Sequence, residues 1–135
     1  MNLNLPNWVP ISSAETVAGE YRVRAVYTET PGCCIHCLSP RLYRHGARRQ
    51  VLKDVPQNGR RVSIVLYRAR YRCRACGRTF LQPLGDDVPR GRQMTHRLVR
   101  YIAEQSAHRT YVAVADECGV SEKTVRTIAH RLTLT

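Results

Sequence analysis

Six cysteines punctuate the chain, and four of them fall into two C-x-x-C pairs, Cys34-Ile35-His36-Cys37 and Cys73-Arg74-Ala75-Cys76. Two residues between sulfurs put both thiolates on one tight turn, the spacing that grips one side of a tetrahedral metal. Two such turns close a four-thiolate zinc site. Cys76 is followed by Gly77, which tolerates the positive φ that lets backbone amides turn toward sulfur; the first pair is followed by Leu38, so its turn lacks that freedom. A disulfide scaffold competes for six cysteines in a small chain, but the paired spacing and the lack of any secretory feature favour metal. Cys34, Cys37, Cys73 and Cys76 are therefore expected to hold one structural Zn2+. Cys33 can substitute for Cys34 if the turn shifts by one residue. Cys118 reads as a small core residue, and His36 as an exposed side chain between two ligands. His45, His96, His108 and His130 have no ligand spacing.

The charge surrounds this metal segment. Net charge is +12, from 22 basic and 10 acidic residues, and all the basic residues except Lys53 and Lys123 are arginine. Four thiolates around one zinc ion lower the total by about two. Residues 41–78 carry 12 basic side chains against Asp54 alone, whereas residues 97–135 carry 6 against 4 acidic ones. Arginine's planar fork suits phosphate oxygens and guanine edges, so the bias points to nucleic acid rather than to an evenly charged solubilising coat. Residues 1–10 have neither the basic start nor the apolar run of a signal peptide. The longest apolar runs, such as Ile64-Val65-Leu66-Tyr67, are too short to cross a bilayer. The expectation is a cytoplasmic, nucleoid-associated protein, in a reducing compartment where thiolates stay open to metal.

The elements that must position these groups read as α+β: a small β-rich zinc ribbon followed by a three-helix helix-turn-helix unit. Tyr21-Arg22-Val23-Arg24-Ala25-Val26-Tyr27 alternates as a half-buried strand, with Trp8-Val9-Pro10-Ile11 as its partner. Residues 51–55 form a strand ended by Pro56, and Asn58-Gly59 supplies the hairpin turn. The return strand, residues 61–72, sets Arg68, Arg70, Arg72 and Arg74 on one face by period two, opposite Val65, Tyr67, Ala69, Tyr71 and Cys73. That face is expected to be solvated and to meet phosphate.

Residues 85–93 read as a linker between a β-rich domain, 1–84, and a helical unit, 94–135. Thr95 caps a helix with a stripe of Leu98, Val99, Ile102 and Ala103, and Thr110 caps a second through Val112, Val114, Ala115 and Cys118. Gly119-Val120 turns the chain, and Ser121 caps a third helix with Val125, Ile128, Ala129 and Leu132 inward. A small alanine where helices cross, a glycine at the turn and a serine cap form a helix-turn-helix signature. The DNA-binding candidates on this helix are Ser121, Lys123, Thr124, Arg126, Thr127, His130 and Arg131.

In order and spacing these motifs resemble the N-terminal DNA-binding region of insertion-sequence transposases of the ISL-three family. The matching residues are Cys34, Cys37, Asp54-Val55-Pro56-Gln57-Asn58-Gly59, Arg70-Tyr71-Arg72-Cys73, Cys76, Thr79-Phe80, Arg97 and the block from Val114 to Val125. Leu38 departs from the pattern, where a glycine is usual. The resemblance implies a zinc-stabilised module that recognises a duplex site such as a transposon end. A standalone transcriptional regulator, or an RNA- or protein-binding adaptor that recruits a catalytic partner, are the alternatives, and a homodimer is compatible with each. Such transposases carry three metal-binding carboxylates in a long downstream domain; this chain stops at Thr135, so the expectation is a binding module without catalysis. Asp54, Asp86, Asp87 and Asp116 do not group in the sequence as a two-metal site requires.

Overall fold

The computed structural model describes residues 3–16 and 18–133, with the side chains of residues 132 and 133 left out. Five strands form one sheet: β1 Trp8–Glu15, β2 Tyr21–Tyr27, β3 Leu42–Gln57, β4 Arg60–Cys73 and β5 Thr79–Leu81. Three helices follow, α1 His96–Ser106, α2 Tyr111–Cys118 and α3 Glu122–Thr133. The architecture is α+β, as the sequence implies.

Strand β4 organises the sheet. It inserts between β2, to which it runs parallel, and β3, its antiparallel hairpin partner, giving the order β1-β2-β4-β3 with β5 on the far end of β4. The middle of this strand is buried on both faces, so Val62, Ser63, Ile64, Val65 and Leu66 are all buried and the expected alternation is lost there. On the inner face Ile64 and Leu66 join Leu52, Val23, Ala25, Tyr27, Trp8, Leu3 and Leu84 in the main core.

Strand β3 is far longer than expected, beginning at Leu42 rather than near residue 51. Its first half is rich in arginine and interrupted at Gly46 (φ 94°), where the ladder shifts between Arg44 and Ala47. Neither composition nor alternation marks it as a strand; it is ordered by hydrogen bonds to β4. Pro56 does not end the strand either, because it falls in a second ladder irregularity between Asp54 and Gln57, where no amide is required. Asn58 (φ 51°) and Gly59 (φ 74°) then make the expected two-residue hairpin turn.

The arginine row faces differently from the expectation. Arg68, Arg70 and Arg72 continue the inner face of Val62, Ile64 and Leu66, and Val65 and Tyr67 lie on the outer face. At Arg68 the core ends: its guanidinium is half-buried and donates to the Gln82 carbonyl and to Gln50 Oε1 (2.8 Å). A row of guanidinium groups can share a core-facing parity when the sheet runs past the apolar core.

The helical unit has its own core of Met94, Leu98, Ile102, Val114, Ala115, Cys118, Val125 and Ile128, with Val99, Ala103 and Val55 of β3 packed against it. Val112 is the exception among the stripe residues: 63 % of its surface is exposed. The expected inward Leu132 lies outside the described side chains. Thr95, Thr110 and Ser121 each accept an amide N–H of the first helical turn, as cap residues should (Leu98 3.3 Å, Ala113 3.1 Å, Thr124 3.1 Å).

Residues 85–93 are tied to the sheet. Trp8 Nε1 donates to Asp87 Oδ2 (3.0 Å), the Lys53 amide to the Gln93 carbonyl (3.0 Å) and the Thr95 amide to the Lys53 carbonyl (2.9 Å). Beside this seam, Asp54 is 2 % exposed and accepts from Thr95 Oγ1 (2.8 Å) and from two nitrogens of Arg97, whose third nitrogen donates to the Leu3 carbonyl. One carboxylate thus joins β3, α1 and the N-terminal segment. The two partners are not equivalent, since Arg97 retains 31 % side-chain exposure against 3 % for Asp54. In Asp54→Ala the guanidinium can turn to water, whereas Arg97→Ala strands a buried carboxylate. Arg97→Ala is expected to cost about 3–5 kcal/mol and Asp54→Ala less, roughly 1–3 kcal/mol, in denaturant unfolding of the zinc-loaded chain.

Candidate metal centre and nucleic-acid interface

The zinc end of the sheet has little apolar material of its own. Cys34, Cys73 and Phe80 form its buried cluster, with Leu42 and Tyr71 against them. The two C-x-x-C turns are near-copies. The Leu38 amide donates to the Cys34 carbonyl (3.0 Å) and the Gly77 amide to the Cys73 carbonyl (2.9 Å). The amides of His36 and Ala75 point at Cys34 Sγ and Cys73 Sγ, each at 3.3 Å. Gly77 has φ 74°, and Leu38 adopts φ 66° at the equivalent place despite its side chain. The turn geometry, rather than glycine, is what both knuckles share.

These turns bring the four sulfurs within 4.8 Å of one another, with Cys34–Cys76 at 3.7 Å and Cys37–Cys73 at 3.6 Å. A tetrahedron with metal–sulfur bonds of about 2.3 Å has edges of about 3.8 Å, so the donor set fits zinc. Cys33 stands outside the cluster, which settles the choice of ligand in favour of Cys34. Electrostatics agree. Amide N–H groups of Cys76 and Ala75 bring the Cys73 thiol down to about 6. Burial opposes ionisation of Cys34, yet the amides of Cys37 and His36 and the adjoining thiols leave it below the ordinary thiol range. Cys37 goes the other way: although a backbone bond at Ser39 favours its thiolate, burial and three neighbouring sulfurs push it up to about 12. Four adjacent thiolates need a dication among them, and these residues fit one structural zinc ion.

The helix-turn-helix closes on a contact the sequence reading missed. Arg61 of β4 reaches the end of α2, where its Nε donates to the Asp116 carbonyl (2.9 Å) and its Nη2 to Asp116 Oδ1 (3.2 Å). Gly119 makes the turn at φ 73°, and a Cβ there would stand 2.8 Å from Arg61 Cδ. Backbone sign favours glycine here, and a side chain would also have to push Arg61 away from its place beside Asp116. A further bridge holds α1 to α2: Glu117 accepts from Tyr101 (2.5 Å) and from Arg109 (2.9 Å). Nothing in the spacing of Arg61 announces its role, because the partner lies 55 residues away.

Along α3 Val125 and Ile128 are buried, and Lys123, Arg126, Thr127, His130 and Arg131 are exposed. Ser121 and Thr124 are engaged in the cap, Thr127 bonds the Lys123 carbonyl (2.9 Å), and Arg126 pairs with Glu122 (3.0 Å). Among the strand arginines, Arg70 and Arg72 are exposed and Arg74 stacks on Tyr43, 4.5 Å from the ring centre, while Arg68 is the half-buried brace described above. The four aspartates are dispersed: Asp54 in its clasp, Asp87 on Trp8, Asp116 on Arg61 and Asp86 exposed. Cys118 is buried in the helical core, which pushes its thiol up to about 11. His36 is exposed and meets Phe80 edge-on.

Comparison with known proteins follows this division. Residues 30–76 match the zinc-finger of transposase IS204/IS1001/IS1096/IS1165, and residues 85–133 match the helix-turn-helix domain of transposase family ISL3. Neither a curated protein nor a solved structure matches the chain. The chain carries, in order, the zinc ribbon and the helix-turn-helix of ISL3-family transposases, as its motifs imply.

Elemental analysis of the purified chain should give one zinc per molecule, lost when any of the four cysteines becomes serine. The knuckle turns make a finer prediction. Leu38→Gly should relieve left-handed strain and stabilise the zinc-loaded protein by up to about 1 kcal/mol, the gain being limited by glycine's unfolded-state entropy. Gly77→Ala should cost about 1–2 kcal/mol. Denaturation midpoints of the two variants moving in the same direction would contradict the shared-turn account.

Proposed function

We propose that this chain, built from the zinc ribbon and helix-turn-helix of ISL3-family transposases, recognises a specific duplex DNA site such as the end of a mobile element. The observation that carries the reading is α3: a capped helix set by a fixed turn, apolar toward α1 and α2 and polar or basic outward. A helix so presented enters the major groove, and Lys123, Arg126, Thr127 and His130 are the side chains that face base edges there. Arg131 lies toward flanking phosphates. Ser121 and Thr124 act through the cap, which orients the amides of the first turn.

The exposed ribbon arginines supply the sequence-independent part of affinity. Arg70 and Arg72, with Arg74 held by Tyr43, take phosphates, and Arg68 orders the surface from which they project. Chemistry on the DNA is assigned to another domain or partner, and this chain's part is placement.

The test compares two substitutions on a duplex selected from a random pool by the intact chain. Arg126→Ala should cost on the order of 1–3 kcal/mol on the preferred site and relax the base preference. Arg70→Ala should weaken all duplexes alike and flatten the salt dependence by about one unit. Selection that returns no preferred sequence, or Arg126→Ala with unchanged preference, defeats the specific-recognition reading.

A further inference from the structure

The outer face of the sheet carries a second concentration of positive charge that the zinc-end arginines do not include. On this face β2 presents Arg22 and Arg24, β3 presents Arg49 and Lys53, and Tyr67 of β4 stands between them, opposite Arg49 in the ladder. None of the strand residues of this face is acidic; Glu20, just ahead of β2, is engaged with Arg22 and Ser63. Among the described residues neither Arg24 nor Arg49 has a carboxylate partner.

Arg24 and Arg49 belong to strands on either side of β4, about 10 Å apart at the backbone, and both face Tyr67: Arg49 is its partner across the ladder and Arg24 reaches its hydroxyl. The Tyr67 hydroxyl accepts from Arg24 Nε (3.2 Å) and Nη2 (2.5 Å), and the same guanidinium lies 5.4 Å from the Tyr67 ring centre. The bonds from Arg24 outweigh the opposing effect of partial burial and, with the Arg24 and Arg49 charges, hold this phenol below its ordinary range. Tyr67 therefore marks a point of converging positive potential and fixes the fork while using only two of Arg24's five N–H donors. Two guanidinium groups flanking one tyrosine without a carboxylate between them repel, and an anion with several acceptor oxygens relieves that.

Resting on the DNA-binding reading, we propose that Arg24 and Arg49 form a clasp for a backbone phosphate of duplex DNA on the outer face of the sheet, with Tyr67 positioning them. The location suits a duplex already engaged by the helix-turn-helix. Arg61, which touches the turn at Gly119, lies on the same face of β4 as Tyr67 and six residues before it. At about 3.3 Å per strand residue the clasp is about 20 Å from that turn, roughly six base-pair steps of DNA. The contact falls outside the reach of α3 and lengthens the footprint along the backbone.

The experiment measures affinity of the full zinc-loaded chain for a mixed-sequence duplex of about 40 base pairs across a salt series, with wild type, R24Q/R49Q and R24K/R49K compared. R24Q/R49Q should flatten the slope of log affinity against log salt by about one unit and lower affinity roughly fivefold at about 0.15 M salt, with the loss fading at high salt. R24K/R49K should keep the slope, because charge is preserved, and lose affinity through the missing fork. Zinc content and thermal midpoint check that the variants are folded; single R49Q, on the exposed edge strand, serves if the double variant is not. Salt-dependent binding by wild type with an unchanged slope in R24Q/R49Q or R49Q overturns the clasp and leaves the DNA reading intact. No salt-dependent binding by wild type overturns that reading itself. In a further arm at matched ionic strength, inorganic phosphate that binds wild type but not R24Q/R49Q, without any change in duplex affinity between them, assigns the clasp to free phosphate and overturns the duplex assignment.

Discussion

Four cysteine sulfurs within 4.8 Å cannot all ionise unless a cation stands among them, and the zinc-end half of the sheet depends on that condition. The local apolar cluster is small, so ribbon order comes from the metal's hold on two turns that are far apart in sequence. Once Cys34 and Cys37 are fixed to Cys73 and Cys76, β3 must start near one knuckle and β4 must end near the other, and their ladder runs between. The arginine-rich first half of β3 is ordered by this arrangement, against its own composition. Metal binding here contributes folding free energy and acts over a long stretch of hairpin.

The opposite end of the hairpin is held by charge and hydrogen bonds. Asp54 gathers Thr95, Arg97 and, through Arg97, the Leu3 carbonyl. Arg61 secures the end of α2, and Val55 enters the helical core. Zinc ribbon and helix-turn-helix are in this way joined through one pair of strands. The segment over residues 85–93 runs along that junction, bonded to Trp8 and Lys53, so the helical unit is presented at a set position relative to the basic sheet. On the proposed function, two DNA-binding surfaces joined by a short, docked connection would gain from each other, because the second engages at high effective concentration.

Arginine has three physical roles in this chain. Arg68 and Arg97 are partly buried braces whose donors are taken by carbonyls or a carboxylate. Arg61 and Arg109 tie helices to neighbouring elements through exposed or half-exposed pairs. Arg24, Arg49, Arg70 and Arg72 stand open to solvent, without carboxylate partners among the described residues. Composition alone cannot separate these roles, because the same guanidinium fork serves each, and burial and partner decide.

What the sequence determined by itself was everything with a short-range cause. Two-residue spacing placed the zinc ligands; Thr95, Thr110 and Ser121 placed the helix starts; Gly119 placed the turn; and Asn58-Gly59 placed the hairpin. Each depends on a few consecutive residues and on backbone geometry that context hardly alters. The tertiary structure decided what depends on distant neighbours. It set which face of β4 is inner, because that follows from a core shared with β2 and the N-terminal segment, and the parity of Arg68 could not reveal it. It extended β3 back to Leu42, because edge pairing outweighed a charged sequence. It chose Cys34 over Cys33, brought Asp54 to Arg97 across 43 residues, and set Arg24 of β2 and Arg49 of β3 on either side of Tyr67 by inserting β4 between two strands consecutive in sequence. Long-range partners of this kind carry no periodic or spacing signal, since the chain between them is free to vary in length and composition.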